Sequence, residues 1–407
     1  MIDLSALYRS TLSRLSGERL AAEALARAGL SGPVRVLALG KAAAGMARGV
    51  ASVLPVSGGV VAASADAPIP EGLRLVRGSH PVPSGDSEAA GRALLDEARA
   101  AQPDETVLFL VSGGGSAIAA VPAPGLSLAD KIAATRALLA GGTAIEQTNA
   151  VRKHLSALKG GQLAAATKAK RRLSLVLCDV TSGDLASVAS GPTVGDPTTY
   201  SECLTIAGQV LLPERVRAHL EAGARAKRPE TPKPGDPRLA GIDHELLACP
   251  IDLARTAAGL SGEPYELEPS PFTGPVEALA DRIVARVLSL KTSKLIALSG
   301  EVTVKLPPAA QAGGRMQHLA LLLARALAGK PFQALCAGSD GRDGPTDHAG
   351  ALVDGQTASR ARAQGIDLDG AIDRFDSAAA CSSLGIALPA FDSGTNLCDL
   401  VLVRVRP

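Results

Sequence analysis

The chain has 407 residues, 46% of them hydrophobic and 20% charged, which is more than one core of ordinary size holds, so two domains are expected. A formal charge of +2 supplies no strong global field, and 2% aromatic residues with no tryptophan argue against stacking platforms for nucleic acid. No apolar run approaches the roughly 18 to 20 residues of a membrane span. Met1-Ile2-Asp3-Leu4 carries no signal-peptide core, and six dispersed cysteines without a CxxC pair read as reduced thiols, so a cytoplasmic protein is expected.

Leu4, Leu7, Tyr8 and Leu15 mark one side of an amphipathic helix at the start. Val34–Leu39 is an apolar run closed by Gly40, and the Ala-rich stretch Lys41–Val50 behind it reads as helix. The alternation recurs at Thr106–Val111 and Ser174–Cys178, which predicts a parallel sheet covered on both faces. Ser127 with Asp130, and Thr143 with Glu146, have the spacing of capping boxes at helix starts. Arg228–Pro237 is rich in proline, which denies donors to helix and sheet alike, and is the expected linker. Beyond it come a strand at His244–Cys249, helices from Asp252 and at Val276–Leu290, a strand at Leu295–Leu298, a long helix at Arg315–Ala328 and a strand at Gln333–Ala337. The expected fold class is α/β, two three-layer α/β/α domains with mostly parallel sheets, divided as 1–228 and 239–407.

The densest chemical signal is Ser112-Gly113-Gly114-Gly115-Ser116, directly after Val107–Val111. Glycines at the carboxyl end of a buried strand let successive amides aim at one point, which suits a phosphate. Gly40-Lys41 and Gly313-Gly314-Arg315 each put a cation at a helix start, where it opposes the dipole and makes most sense beside a bound anion. Asn149, Arg152 and Lys153 share one helix face, and Lys159-Gly160-Gly161 follows as a second anion-facing turn. Asp179 and Asp184 follow one strand, Asp340 and Asp343 another, in positions suited to Mg²⁺ with partial water coordination. There is no G-x-x-x-x-G-K-[ST] and no convincing G-x-G-x-x-G after the first strand, so these are phosphate loops of another design.

Taken together the segments resemble the glycerate 2-kinase family, whose C-terminal half is the MOFRL domain. The resemblance rests on Gly40-Lys41-Ala42-Ala43, Ser79-His80-Pro81-Val82-Pro83, Val111–Ser116, Asn149–Ser156 running into Lys159-Gly160-Gly161, Ala189-Ser190-Gly191-Pro192-Thr193, Gly313-Gly314-Arg315, Asp340–Asp347 and Ser393–Leu400. It implies phosphorylation of D-glycerate on its 2-hydroxyl by ATP with Mg²⁺, in a cleft between two α/β domains, with Lys41 and Arg315 as key cations and Asp179 as a catalytic carboxylate. With that activity in view, the residues place a nucleotide site at Gly40, Ser112–Ser116 and Lys159–Gly161 and acceptor contacts at His80, Asn149, Arg152, Lys153 and Glu301, the general base being open among Asp179, Asp184, Asp340 and Asp343. The chain departs from the family at Met316, His318, Ser299 and Ser182-Gly183-Asp184. Partners expected are small molecules, neither nucleic acid nor membrane, with a homodimer left open. Two rivals stand beside this reading: an NAD(P)H-dependent hydroxypyruvate reductase, and a non-catalytic binder of sugar acids or phosphate.

Overall fold

The computed structural model describes residues 3–308 and 310–406; Met1 and Ile2 of the N-terminal reading lie outside the described residues. The chain forms two compact units. One, the parallel-sheet unit, comprises Gly17–Cys178 and Asp184–Leu247; the other, the mixed-sheet unit, comprises Met1–Ser16, Asp179–Gly183 and Ala248–Pro407.

The parallel-sheet unit is built on β1 (Val34–Leu39), β2 (Val56–Ala63), β3 (Leu73–Arg77), β4 (Thr106–Ser112), β5 (Arg171–Leu177) and β6 (Ile242–Ala248), in the order β3-β2-β1-β4-β5-β6. The pairings of β3 with β2, β2 with β1, β1 with β4 and β4 with β5 are all parallel. Val107 to Leu110 and Val36 to Leu39 are fully buried, as strands covered on both faces must be, which is why they read as unbroken apolar runs. The Ser127–Asp130 capping box forms at the start of the helix Leu128–Ala140. The Thr143–Glu146 box does not: Ala144 caps the helix Ile145–His154 without a side-chain bond.

The mixed-sheet unit holds β7 (Tyr265–Leu267), β8 (Lys294–Gly300), β9 (Phe332–Gly338), β10 (His348–Asp354), β11 (Ala387–Pro389) and β12 (Asp399–Val405), in the order β11-β10-β9-β12-β8-β7. Only β7 with β8 is parallel, while β8/β12, β12/β9, β9/β10 and β10/β11 run antiparallel. The expectation of mostly parallel sheets therefore holds for the first sheet and not for this one. The cause is β12, which comes last in the chain and inserts between β8 and β9. The helix Arg315–Ala326 lies against β9 and β10 and is covered by four further helices, and every side chain from Met316 to Ala324 is buried. A helix apolar all round belongs in such a place.

The division of the chain differs from 1–228 and 239–407. The proline-rich segment lies inside the parallel-sheet unit, where the Pro232 carbonyl accepts from the Asp196 amide at 2.8 Å and the buried Thr231 hydroxyl donates to Asp196 Oδ2 at 3.0 Å. Proline excluded it from helix and sheet but left its carbonyls free to tie it down. The N-terminal helix Leu4–Arg14 belongs to the other unit, packed on the helix Pro250–Ser261 with the Tyr8 hydroxyl donating to Gly338 O at 2.5 Å.

Candidate active site

In the parallel-sheet unit, β1 and β4 end side by side, and the turns beyond them interlock. Gly40 has φ +118°, and a Cβ there would lie 2.3 Å from Ser112 Oγ, so the position admits only glycine. The Lys41 amide donates to Gly113 O at 2.9 Å and the Ala42 amide to Ser112 Oγ at 3.0 Å. Lys41 thus stands in the turn, two residues ahead of the helix Ala43–Ala51, and not in its first turn as expected. Gly114, at φ +78°, has the Lys41 and His80 side chains 3.2 Å from where a Cβ would be, which brings these two expected residues to the glycine loop. No acceptor among the described residues takes the amides of Gly114, Gly115 or Ser116.

From Ser116 a chain of contacts joins the other expected residues. Its hydroxyl lies 2.7 Å from that of Ser190, and Ser190 Oγ reaches Asn149 Oδ1 at 3.5 Å. Arg152 Nη1 donates to the same Asn149 oxygen at 3.2 Å, and Lys159 Nζ donates to Ser116 O at 2.9 Å. Ala189 and Ser190 both adopt positive φ, 50° and 60°, ahead of Gly191 at 61°. Non-glycine residues held there cost of order 1 kcal/mol or more each, a strain typical of functional turns.

Three expected contacts have partners within the protein. The Gly160 and Gly161 amides donate to Ser190 O at 3.0 Å and Gly191 O at 2.7 Å, so that turn braces the strained segment and does not present its amides to an anion. Lys153 Nζ faces buried Asp196 at 3.5 Å. Asp184 is exposed, and its carboxylate accepts from the Ala186 amide at 3.0 Å and the Ser187 hydroxyl at 2.7 Å.

The mixed-sheet unit carries the rest. Arg315 opens its central helix, with Nη1 2.5 Å from Glu301 Oε1 and Nη2 3.6 Å from Asp399 Oδ2. Burial works to lower its pKa, and Asp399 and Glu301 outweigh that and raise it. Asp343 caps the helix: its two oxygens accept from the Met316 amide at 3.0 Å and the Gln317 amide at 2.7 Å. Burial raises this carboxylate to about 6 against those bonds. Asp399, absent from the expected site, is buried with Oδ2 lacking any hydrogen-bond partner, and burial lifts its pKa well above the usual range. Its signal was present in the Ser393–Leu400 segment, and only the start of β12 at Asp399 brings it to Arg315. Asp340 Oδ1 accepts from the Arg342 amide at 3.1 Å, and Asp179 Oδ2 accepts from Asn396 Nδ2 at 3.3 Å. Asp179 and Asp184 belong to different units. Among the described residues no group of three or more His, Cys, Asp or Glu is arranged to hold a metal ion. The departures Met316 and His318 are core residues: Met316 is fully buried and His318 lies on Phe375, ring centroids 4.8 Å apart.

Residues 3–221 match the family model of a domain of unknown function, DUF4147, and residues 294–399 match the MOFRL family. A protein of Pyrococcus horikoshii named glycerate 2-kinase is 33% identical over 389 residues, covering 92% of this chain and 88% of that protein. A protein of Agrobacterium vitis that carries a hydroxypyruvate reductase name is 36% identical, over 91% of this chain and 86% of that one. The solved glycerate kinase of Thermotoga maritima superposes with a TM-score of 0.86 at 31% identity, over 98% of this chain and 97% of that chain.

Proposed function

The chain belongs to the glycerate 2-kinase family, and on that premise we propose that it phosphorylates D-glycerate at the 2-hydroxyl with ATP. The hydroxyl oxygen bonds to the γ-phosphorus as the β–γ bridging P–O bond breaks, ADP leaves, and the hydroxyl proton passes to a base. The observation that carries this reading is the connected set around the glycine loop: Lys41, His80, Ser116, Ser190, Asn149, Arg152 and Lys159 on one sheet edge. Cations and unclaimed amides in one place are what phosphoryl transfer asks of a protein, since its catalysis is mostly positioning and charge stabilisation.

In this reading Gly40 and Ser112–Ser116 hold the nucleotide phosphates, and Lys41 and Arg315 spread over the transferring group. Asn149 and Arg152 face the acceptor with His80, and Asp179 orients its hydroxyl. Mg²⁺, which neutralises charge on the phosphates when bound, does not fit a protein-only cage here: Asp343 is spent on a helix and no cluster of three ligands exists among the described residues. It fits as a companion of the nucleotide with single contacts from Asp179 and Asp340. Six free cysteines, three of them on or beside buried strands, agree with a cytoplasmic setting. A reductase finds less support, because the turn after β1 reads Gly40-Lys41-Ala42 without a dinucleotide fingerprint.

The test is an assay of D-glycerate with ATP and Mg²⁺ in which the product feeds enolase directly, without a mutase, checked by phosphorus NMR. A 2-phosphoglycerate product is expected. A 3-phosphoglycerate product, or NADH oxidation by hydroxypyruvate without phosphorylation, overturns the reading.

A further inference from the structure

Lys131 belongs to no motif. It lies on the helix Leu128–Ala140, only 7% exposed, and its Nζ donates to Leu155 O at 3.0 Å. That carbonyl also accepts from the Ala123 amide at 3.0 Å, so the lysine is not required to satisfy it. Two more cations stand close by. Lys159 is 1% exposed with Nζ on the Ser116 carbonyl, and the partly buried Arg152 leans on Asn149.

The three sense one another. Burial, and then the charge of Arg152, pushes Lys131 down to about 7; burial, and then Arg152 and Lys131, lowers Lys159. No carboxylate among the described residues pairs with any of the three. Their neighbour Lys153 has Asp196, and buried Arg404 has Glu263. The carboxyl end of the helix Ile145–His154 offers about half a negative charge, less than three cations need. Buried charges are ordinarily paired, so a trio without a counter-charge marks a place where a ligand supplies one.

We propose that Lys131, Arg152 and Lys159 form one buried oxyanion seat for the carboxylate of the acid acceptor, with Lys131 setting the preference for an acid over a neutral polyol. The acceptor's identity rests on the kinase reading; the seat itself does not. The burial of Lys131 and Lys159 favours a compact anion over a triphosphate.

Thermal-shift titrations of the parent, Lys131→Met and Lys131→Arg with D-glycerate, inorganic phosphate, an ATP analogue and glycerol test this, alongside steady-state kinetics. D-glycerate should stabilise the parent and glycerol should not. Lys131→Met should melt above the parent without ligand, bind D-glycerate about thirtyfold or more weakly, and raise KM for glycerate by a similar factor with KM for ATP little changed. Lys131→Arg should recover most of the binding. Parental glycerate affinity in Lys131→Met overturns the seat, as does a loss confined to phosphate or the ATP analogue, which would assign the trio to the nucleotide. Should Lys131→Met not fold, Lys159→Met carries the same expectations and the same refutation. If the parent binds D-glycerate through Lys131 but transfers no phosphoryl group, the kinase reading falls and the seat stands. If the parent phosphorylates glycerate while Lys131→Met keeps its KM, the seat falls and the kinase reading stands.

Discussion

The two units treat their cations in opposite ways. No carboxylate among the described residues pairs with Lys131, Arg152 or Lys159, whereas Arg315 sits with Glu301, Asp399 and Asp343. The first arrangement is unfavourable until an anion arrives, so binding energy is stored there as unmatched charge. The second is close to neutral or net acidic before anything binds, so its arginine is held in place by its own protein and its surroundings also suit a cation carried on the ligand. A basic residue looks the same in both stretches of sequence. The acids that divide the two cases lie far away in the chain.

The largest expected effect breaks or keeps this contrast at the phosphoryl group. Lys41→Met should lower kcat at saturating ATP and glycerate by about a hundredfold or more while melting near the parent, the range for a transition-state cation being roughly 10³–10⁵. Arg315→Ala should lower kcat comparably and also lower Tm, because it takes the neighbouring cation from buried Asp399. Near-parental kcat in both variants would place the site elsewhere.

A smaller effect concerns magnesium. Asp179→Asn and Asp340→Asn should each raise the Mg²⁺ requirement by about tenfold, worth about 1.4 kcal/mol. Asp343→Asn should leave that requirement at the parental value and lower stability by about 1 kcal/mol of lost capping. Magnesium titrations of the three variants check this, and a steep rise for Asp343→Asn alone would return that residue to the metal.

The smallest effect is graded with pH. Lys131 drops from an ordinary value of 10.5 to about 7 in the folded protein, burial being the main cause. As pH falls the unfolded chain takes up this proton first. The stability linked to this lysine is therefore intact above the unfolded value and is lost as pH falls toward the folded one, by up to about 1.4 kcal/mol per pH unit. Melting of the ligand-free parent should decline against Lys131→Met between about pH 10 and pH 7, and saturating D-glycerate should flatten the difference. Parallel curves without ligand would mean that Lys131 is not an uncompensated charge.

Much of the parallel-sheet unit was legible because burial on both faces writes a strand as an unbroken apolar run, as in Val34–Leu39 and Thr106–Val111. The glycine loop was legible for the same reason, since it begins where such a run stops. What stayed hidden depends on distant partners. Asp343 in a glycine-rich loop has the look of a metal ligand, and only the approach of a helix 27 residues earlier makes it a cap. Lys131 follows Asp130 on an Ala-rich helix and reads as solvated, since burial is not written in its neighbours. Antiparallel pairing of β12 could not be read from strand-helix alternation, which speaks only for the crossovers it contains.

β12 also bears on how the protein is made. It follows every other strand of its sheet in the chain and lies in the interior of that sheet, hydrogen-bonded to β8 and β9 along its whole length. The mixed sheet therefore cannot close until residues 399–405 have been made, whereas all six strands of the first sheet are available by Ala248. The helix Leu4–Arg14 precedes the entire other unit and must wait through its synthesis before its partners exist. Loss of the last ten or so residues would remove a central strand and leave two interior edges unpaired, so an incomplete chain would carry one finished unit and one aggregation-prone remnant.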